Sequence, residues 1–143
     1  MITVIDTDAW LAIINPSDAL HPKAKAVLKA LYEQNAHLLL LPTTLSEFAT
    51  VATDKIGLER TKDIVKVLID AETHVLLEID DALTAKAVEV FFEQTSKKES
   101  LFDCFVMAAS RKYKADCIFS FDNGYTKTKN GFKLAADLLK INY

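Results

Sequence analysis

Four acids stand out by where they fall: Asp6, Glu47, Asp103 and Asp122. Asp6 directly follows the apolar run Ile2–Ile5, and Asp122 directly follows another apolar run at 117–121. Asp103 is the only strongly polar residue of segment 101–109, and Glu47 lies shortly after Pro42 in a stretch with helical spacing. Each acid has an ordinary explanation. Asp6 or Asp8 can cap a helix by accepting backbone N–H bonds, and Asp122-Asn123-Gly124 is a turn sequence. Both Thr44-x-x-Glu47 and Ser100-x-x-Asp103 match the capping box. The combination says more than the parts. Four carboxylates gathered in one place repel, one pair at about 4 Å costing on the order of 4 kcal/mol at an effective dielectric of 20. A divalent cation would neutralise them. With oxygen donors only and no His or Cys near them in sequence, the expected cation is Mg²⁺ or Mn²⁺ rather than zinc.

The elements that must position these acids alternate along the chain. Residues 2–5, 38–41, 75–79 and 117–121 have the length and apolar composition of buried strands. Between them, Ala24, Val27, Leu28 and Leu31 repeat at helical spacing, as do Leu45, Phe48, Ala49 and Ala52. Ile64, Val67, Leu68 and Ala71 form a further such face, and Leu83, Ala87, Val90 and Phe91 another. The apolar segment 101–109 reads as a buried helix, 132–134 as a last strand and 135–140 as a short final helix. Strands alternating with helices predict an α/β domain whose parallel sheet is covered on both faces. Ligands of such sheets bind beyond the carboxyl ends of the strands, where Asp6 and Asp122 fall. On a helical wheel Glu47 points away from the Leu45/Phe48/Ala49/Ala52 face, into solvent or a cleft.

Composition narrows the class. The chain has 143 residues, half of them hydrophobic, with three Gly and three Pro, which predicts one domain over 1–143. Its apolar runs are too short to span a membrane. The N-terminus carries no basic segment or small-residue cleavage site, so the expected location is cytoplasmic. Cys104 and Cys117 read as reduced core thiols, and His21, His37 and His74 as surface or loop residues. Charge is uneven: residues 1–96 hold 8 Lys/Arg against 15 Asp/Glu, and residues 97–133 hold 8 against 4. The basic stretch is either a solvated surface or a rim able to hold a polyanion near the acids.

Val4-Ile-Asp6-Thr7, Leu41-Pro42 leading to Glu47, Ser100-Leu-Phe-Asp103, and Phe119-Ser120-Phe-Asp122 followed by Tyr125 occur in that order. In this the chain resembles the PIN domain, and within it the VapC-like ribonuclease toxins of toxin–antitoxin systems. The resemblance covers nearly the whole chain. It implies a three-layer sandwich with a five-stranded parallel sheet in the order 3-2-1-4-5. It further implies an Mg²⁺- or Mn²⁺-dependent endoribonuclease in which Asp6, Glu47, Asp103 and Asp122 hold the metal, with Thr7 and Ser120 in support. The expected products carry a 5′-phosphate and a 3′-hydroxyl, and the expected partners are RNA, an antitoxin and a second copy of the chain. Lys97, Lys98, Arg111, Lys112, Lys127 and Lys129 are candidates to hold the RNA backbone. The chain departs from the family at Asp8, where many relatives have a small hydroxyl residue and which is either an extra outer ligand supporting the centre or a cap, and at Asn123, where no further acid follows Asp122.

Two other readings compete. Asp6-Thr7-Asp8 after a strand is similar to the nucleophile motif of haloacid-dehalogenase-like phosphatases, with Asp8 as general acid, but that leaves Glu47 and Asp103 without a role. A phospho-acceptor receiver domain lacks a suitable Asp at the end of a mid-chain strand. A PIN-like protein that only binds a partner is the non-enzymatic alternative, against which all four acids are present.

Overall fold

The short apolar runs pair into a four-stranded parallel sheet: β1 (Ile2–Ile5), β2 (His37–Leu40), β3 (His74–Leu76) and β4 (Cys117–Phe119). The strand order is β3-β2-β1-β4. These assignments come from a computed structural model, which describes residues 1–95, 97–127 and 131–141. Successive side chains of a strand point to opposite faces, and the core divides accordingly. Ile5, Leu38, Leu40, Cys117 and Phe119 enter one apolar cluster. Val4, Leu39 and Ile118 enter a second.

The first cluster is completed by Trp10 of α1 (Thr7–Ile14), Val27 and Leu31 of α2 (His21–Glu33), Phe48 of α3 (Pro42–Ile56) and Leu68 of α4 (Leu58–Asp70). The second takes Leu83 and Ala87 of α5 (Asp81–Phe92) and a run of buried residues in α6 (Leu101–Lys112). The result is the expected three layers. Between α3 and α4 the chain turns at Gly57 with φ of +86°, a conformation that only glycine adopts without strain. Among the described residues no helix is long and apolar enough to cross a membrane.

Two expectations need correction. The fifth strand is reduced to one parallel bridge between Leu134 and Ile118, where the Ile118 N–H donates to the Lys133 carbonyl at 2.9 Å. The chain enters α7 (Ala135–Leu138) immediately afterwards, which ends the ladder. The capping box at Thr44 does not form either. Pro42, with its φ fixed near the helical value, opens α3 two residues earlier, and Leu41 is the cap without a side-chain bond. Glu47 therefore sits in the second turn of α3 rather than the first.

From β1 the chain builds outward through β2 to β3, then returns to place β4 on the other side of β1. The carboxyl ends of β1 and β4 are thus the switch point of the sheet. Ile5 pairs with Phe119, so Asp6 and Ser120 emerge side by side, and the Asp6 N–H donates to the Phe119 carbonyl at 3.0 Å. A 3-10 turn (Asn123–Lys127) then carries Tyr125 back into the second core.

Candidate active site

Asp6 caps α1 in an extended conformation and is buried. Its two oxygens are divided between two tasks. Oδ1 accepts the Thr7 N–H at 2.7 Å, and Oδ2 accepts the Tyr125 hydroxyl at 2.7 Å. The same hydroxyl lies 3.3 Å from Asp103 Oδ1, so one phenol spans two carboxylates. Asp103 divides its oxygens in the same way. Its Oδ2 accepts the Ser100 N–H and hydroxyl, completing the capping box that starts α6, while Oδ1 faces Tyr125. For these two acids, capping and site membership are not alternatives; each residue does both.

A second set of bonds lies alongside. Asp8 Oδ2 accepts the Ser120 hydroxyl at 3.0 Å and the Phe121 N–H at 2.7 Å. This ties α1 to the end of β4 and diverts the backbone there from further strand pairing. Ser120 Oγ in turn accepts the Asp122 N–H at 3.0 Å, and Asp122 Oδ1 accepts the Gly124 N–H at 2.7 Å. A Cβ at Gly124 would meet Asp122 Oδ1 at 3.0 Å, so this tight return favours glycine. Asp8 Oδ1 is buried and has no hydrogen-bond partner among the described residues. The Thr7 hydroxyl donates to the Thr44 carbonyl at 3.3 Å, joining α1 to the first turn of α3. Glu47, one turn further on, is half-buried and takes part in no hydrogen bond or ion pair found among the described residues.

Burial and mutual repulsion set the electrostatics. Loss of solvent, with the charges of Asp8 and Asp103 adding to it, pushes the Asp6 carboxyl up to about 7 against the pull of the Tyr125 and Thr7 hydrogen bonds. Asp8 is also raised, chiefly by burial, although the Phe121 and Ser120 donors oppose this. Burial and then the charges of Asp6 and Asp103 raise the Tyr125 hydroxyl far above the ordinary phenol. It remains a protonated donor.

The structure thus joins Asp6 to Asp103 through Tyr125, and Asp8 to Asp122 through Ser120. Tyr125 stood out in the sequence only as an aromatic residue. Its hydroxyl could have been noticed, because a buried tyrosine needs a hydrogen-bond partner and the nearest candidates are acids. Of the basic residues, Lys98 and Lys127 line a cavity of about 640 Å³ beside Asp122, and Lys97 is exposed. Arg111 and Lys112 lie at the far end of α6, on the order of 12 Å along its axis from Asp103. There Arg111 covers the Phe132 ring and Lys112 pairs with Asp80 at 3.0 Å. Lys129 lies outside the described residues. A separate cavity of about 600 Å³ between α5 and α6, bordered by Leu83, Val90 and Ala108, touches none of the acids.

The histidines stay away from the acids, though His21 and His74 are better anchored than expected of surface residues. His21 Nδ1 lies 2.8 Å from the Ala12 carbonyl and His74 Nδ1 2.8 Å from the Leu68 carbonyl. As a donor set, Asp6, Glu47, Asp103 and Asp122 offer hard oxygens only, and Asp8 Oδ1 nearby is buried and unpartnered, which fits a small divalent cation. Among the described residues no three His, Cys, Asp or Glu side chains are grouped tightly enough to enclose an ion. Asp6 and Asp103 are instead joined by the Tyr125 hydroxyl.

A parallel α/β sheet with its carboxylates collected at the switch point is the architecture of an acid-centred α/β domain. The chain belongs to the PIN domain family, whose model matches residues 3–131. Solved structures with the same fold include VapC20 of Mycobacterium tuberculosis, described as a sarcin–ricin-loop-cleaving toxin. It is 21% identical with a TM-score of 0.73, over 85% of this chain and 90% of that one. VapBC2 of Rickettsia felis, bound to a DNA fragment from its promoter, is 13% identical with a TM-score of 0.71, over 93% and 97%. VapBC-1 of nontypeable Haemophilus influenzae is 13% identical with a TM-score of 0.62, over 85% and 87%. No curated protein matches the chain in sequence.

Proposed function

We propose that this protein is a divalent-metal-dependent endoribonuclease of the VapC type. The observation that carries this reading is the Asp6–Tyr125–Asp103 cluster at the switch point of a PIN domain, with Asp8 and Asp122 alongside. Asp6, Glu47, Asp103 and Asp122 would hold Mg²⁺ or Mn²⁺. When bound there, such a cation polarises the phosphate and makes a water acidic enough to attack at neutral pH. The chain's own residues set the stage. Thr7 and Tyr125 fix both oxygens of Asp6, Ser100 fixes one oxygen of Asp103, and Ser120 holds the backbone of Asp122. The Tyr125 hydroxyl and the Thr7 N–H favour the charged form of Asp6 that a cation would need, against its burial. The family resemblance implies products ending in 5′-phosphate and 3′-hydroxyl, and the lack of a histidine pair beside the cluster agrees with it.

RNA as the substrate class is supported by the name of the M. tuberculosis neighbour, a toxin that cleaves the sarcin–ricin loop. An antitoxin partner is supported by the VapBC assemblies among the neighbours, and a homodimer by the family resemblance. The phosphatase reading leaves Glu47 and Asp103 without a role, whereas the PIN family model matches residues 3–131. In the test, purified Asp6→Asn and Asp103→Asn are assayed for Mg²⁺- or Mn²⁺-dependent RNA cleavage, with circular dichroism as the check on folding. Each should lose activity by more than the roughly 10–100-fold that follows loss of an outer-shell partner. Folded variants that cut at the wild-type rate would show the site to be wrong. A wild type that cuts no RNA but still binds its antitoxin would favour the interaction-protein reading.

A further inference from the structure

The cavity of about 640 Å³ beside Asp122 has a composition that the four acids do not explain. Lys98 and Lys127 border it from two different segments, and Phe121, Asn123 and Glu99 complete its wall. Its volume falls within the roughly 300–1,000 Å³ of small-ligand sites. Phe121 is held in place on three sides. Its N–H is bound by Asp8, its ring meets Phe119 edge-on at 6.0 Å between centroids, and Lys23 Nζ lies 6.0 Å from its centroid. A ring already fixed by its neighbours gives up little freedom when another flat group stacks on it. Lys23, Lys98 and Lys127 form no ion pair among the described residues. Their charge is therefore not committed to a carboxylate of the protein. A fixed aromatic ring with uncommitted cations around it is the combination that binds single-stranded nucleic acid, the ring taking a base and the cations the backbone.

We propose that this cavity is the subsite for one unpaired nucleotide adjoining the bond that is cut. Its base stacks on Phe121 and its phosphate lies between Lys98 and Lys127. The neighbourhood of Asp122 places it next to the acids, because Ser120 links Asp122 to Asp8. Asn123 offers a neutral amide to the edge of the base. Duplex RNA, with its bases stacked on one another, cannot use the ring, so the subsite favours a loop, bulge or end. This inference rests on the RNA-cleaving reading above.

The test uses the purified full chain and a fluorescent, unstructured RNA of about a dozen nucleotides. Binding is followed by anisotropy in Ca²⁺ buffer, with the RNA checked on a gel for integrity. Phe121→Ala should weaken binding about tenfold, the size of one stacked base. Phe121→Leu, which keeps an apolar side chain but has no π-face, should weaken it as much, and Phe121→Trp should restore it. An abasic substitution at one position of the RNA should abolish the difference between wild type and Phe121→Ala, and at other positions should leave it. The double variant Lys98→Ala/Lys127→Ala should lower the salt dependence of binding by about one phosphate contact. If the wild type cuts RNA but Phe121→Ala binds it equally well, the subsite is refuted and the nuclease reading stands. Phe121→Ala that binds RNA normally but escapes its antitoxin would assign the cavity to the protein partner instead. A wild type that neither binds nor cuts RNA would overturn both.

Discussion

Asp6 is the residue whose surroundings cost the fold most. Its carboxyl rises from 3.8 to about 7 on folding, so between those values the folded chain keeps a proton that the unfolded chain releases. Stability contributed by that proton is full below about pH 4 and is lost as pH rises through about 7. The loss is on the order of 4 kcal/mol, with Asp8, also raised, adding in the same direction. Chemical denaturation in a chelating buffer should therefore show stability falling from pH 4 to pH 8. Asp6→Asn should flatten most of that slope and make the protein more stable than wild type at pH 8. A slope undiminished in this variant would locate the proton on another group. Which acid Tyr125 would steady was not legible in the sequence. Tyr125 is 119 residues away and meets Asp6 only because the 3-10 turn after Asp122 folds back under β4.

Secondary-structure elements were far more legible than side-chain contacts, and the exceptions have physical causes. Period-two and helical spacing report which face of an element is buried, so the layers agree with expectation, while the 3-2-1-4 order agrees with what the PIN resemblance implied. Boundaries depend on local competition that such spacing does not record. Pro42 started α3 ahead of Thr44, and the Asp8 carboxylate claimed the Phe121 N–H that a longer β4 would have used. The capping box of α6 was legible because all its atoms belong to one short segment. Ser100→Ala removes two bonds to that box and should lower stability by about 1 kcal/mol, seen as a reduced urea midpoint at unchanged m-value. Because Ser100 also fixes Asp103 Oδ2, the same variant should impair metal-dependent cleavage while leaving α6 formed. Unaltered cleavage would mean that Tyr125 and the backbone N–H of residue 100 suffice to orient Asp103.

At the scale of the molecule, Asp6, Asp8, Asp103 and Asp122 sit at one edge of the sheet, with Lys98 and Lys127 bordering the cavity beside Asp122. A cation that binds there binds only the folded chain, so it must stabilise that chain by mass action. At a hundred times its Kd the gain is roughly 2.7 kcal/mol, which should raise Tm by several degrees in Mg²⁺ or Mn²⁺. The double variant Asp6→Asn/Asp103→Asn should show no such rise. An equal rise there would assign the effect to ions gathered elsewhere on the surface.

The hydroxyl of Tyr125 already answers two carboxylates, and the sheet beneath them is secured by aliphatic and aromatic side chains on both faces. Such a site is assembled during folding from the chain's own atoms, unlike small metal domains whose folding waits for the ion. Chain collapse and ion uptake then become separate events in time. If the centre takes its cation as proposed above, a chelator should act as a reversible brake and not as a denaturant, with activity withdrawn and returned while the chain stays folded.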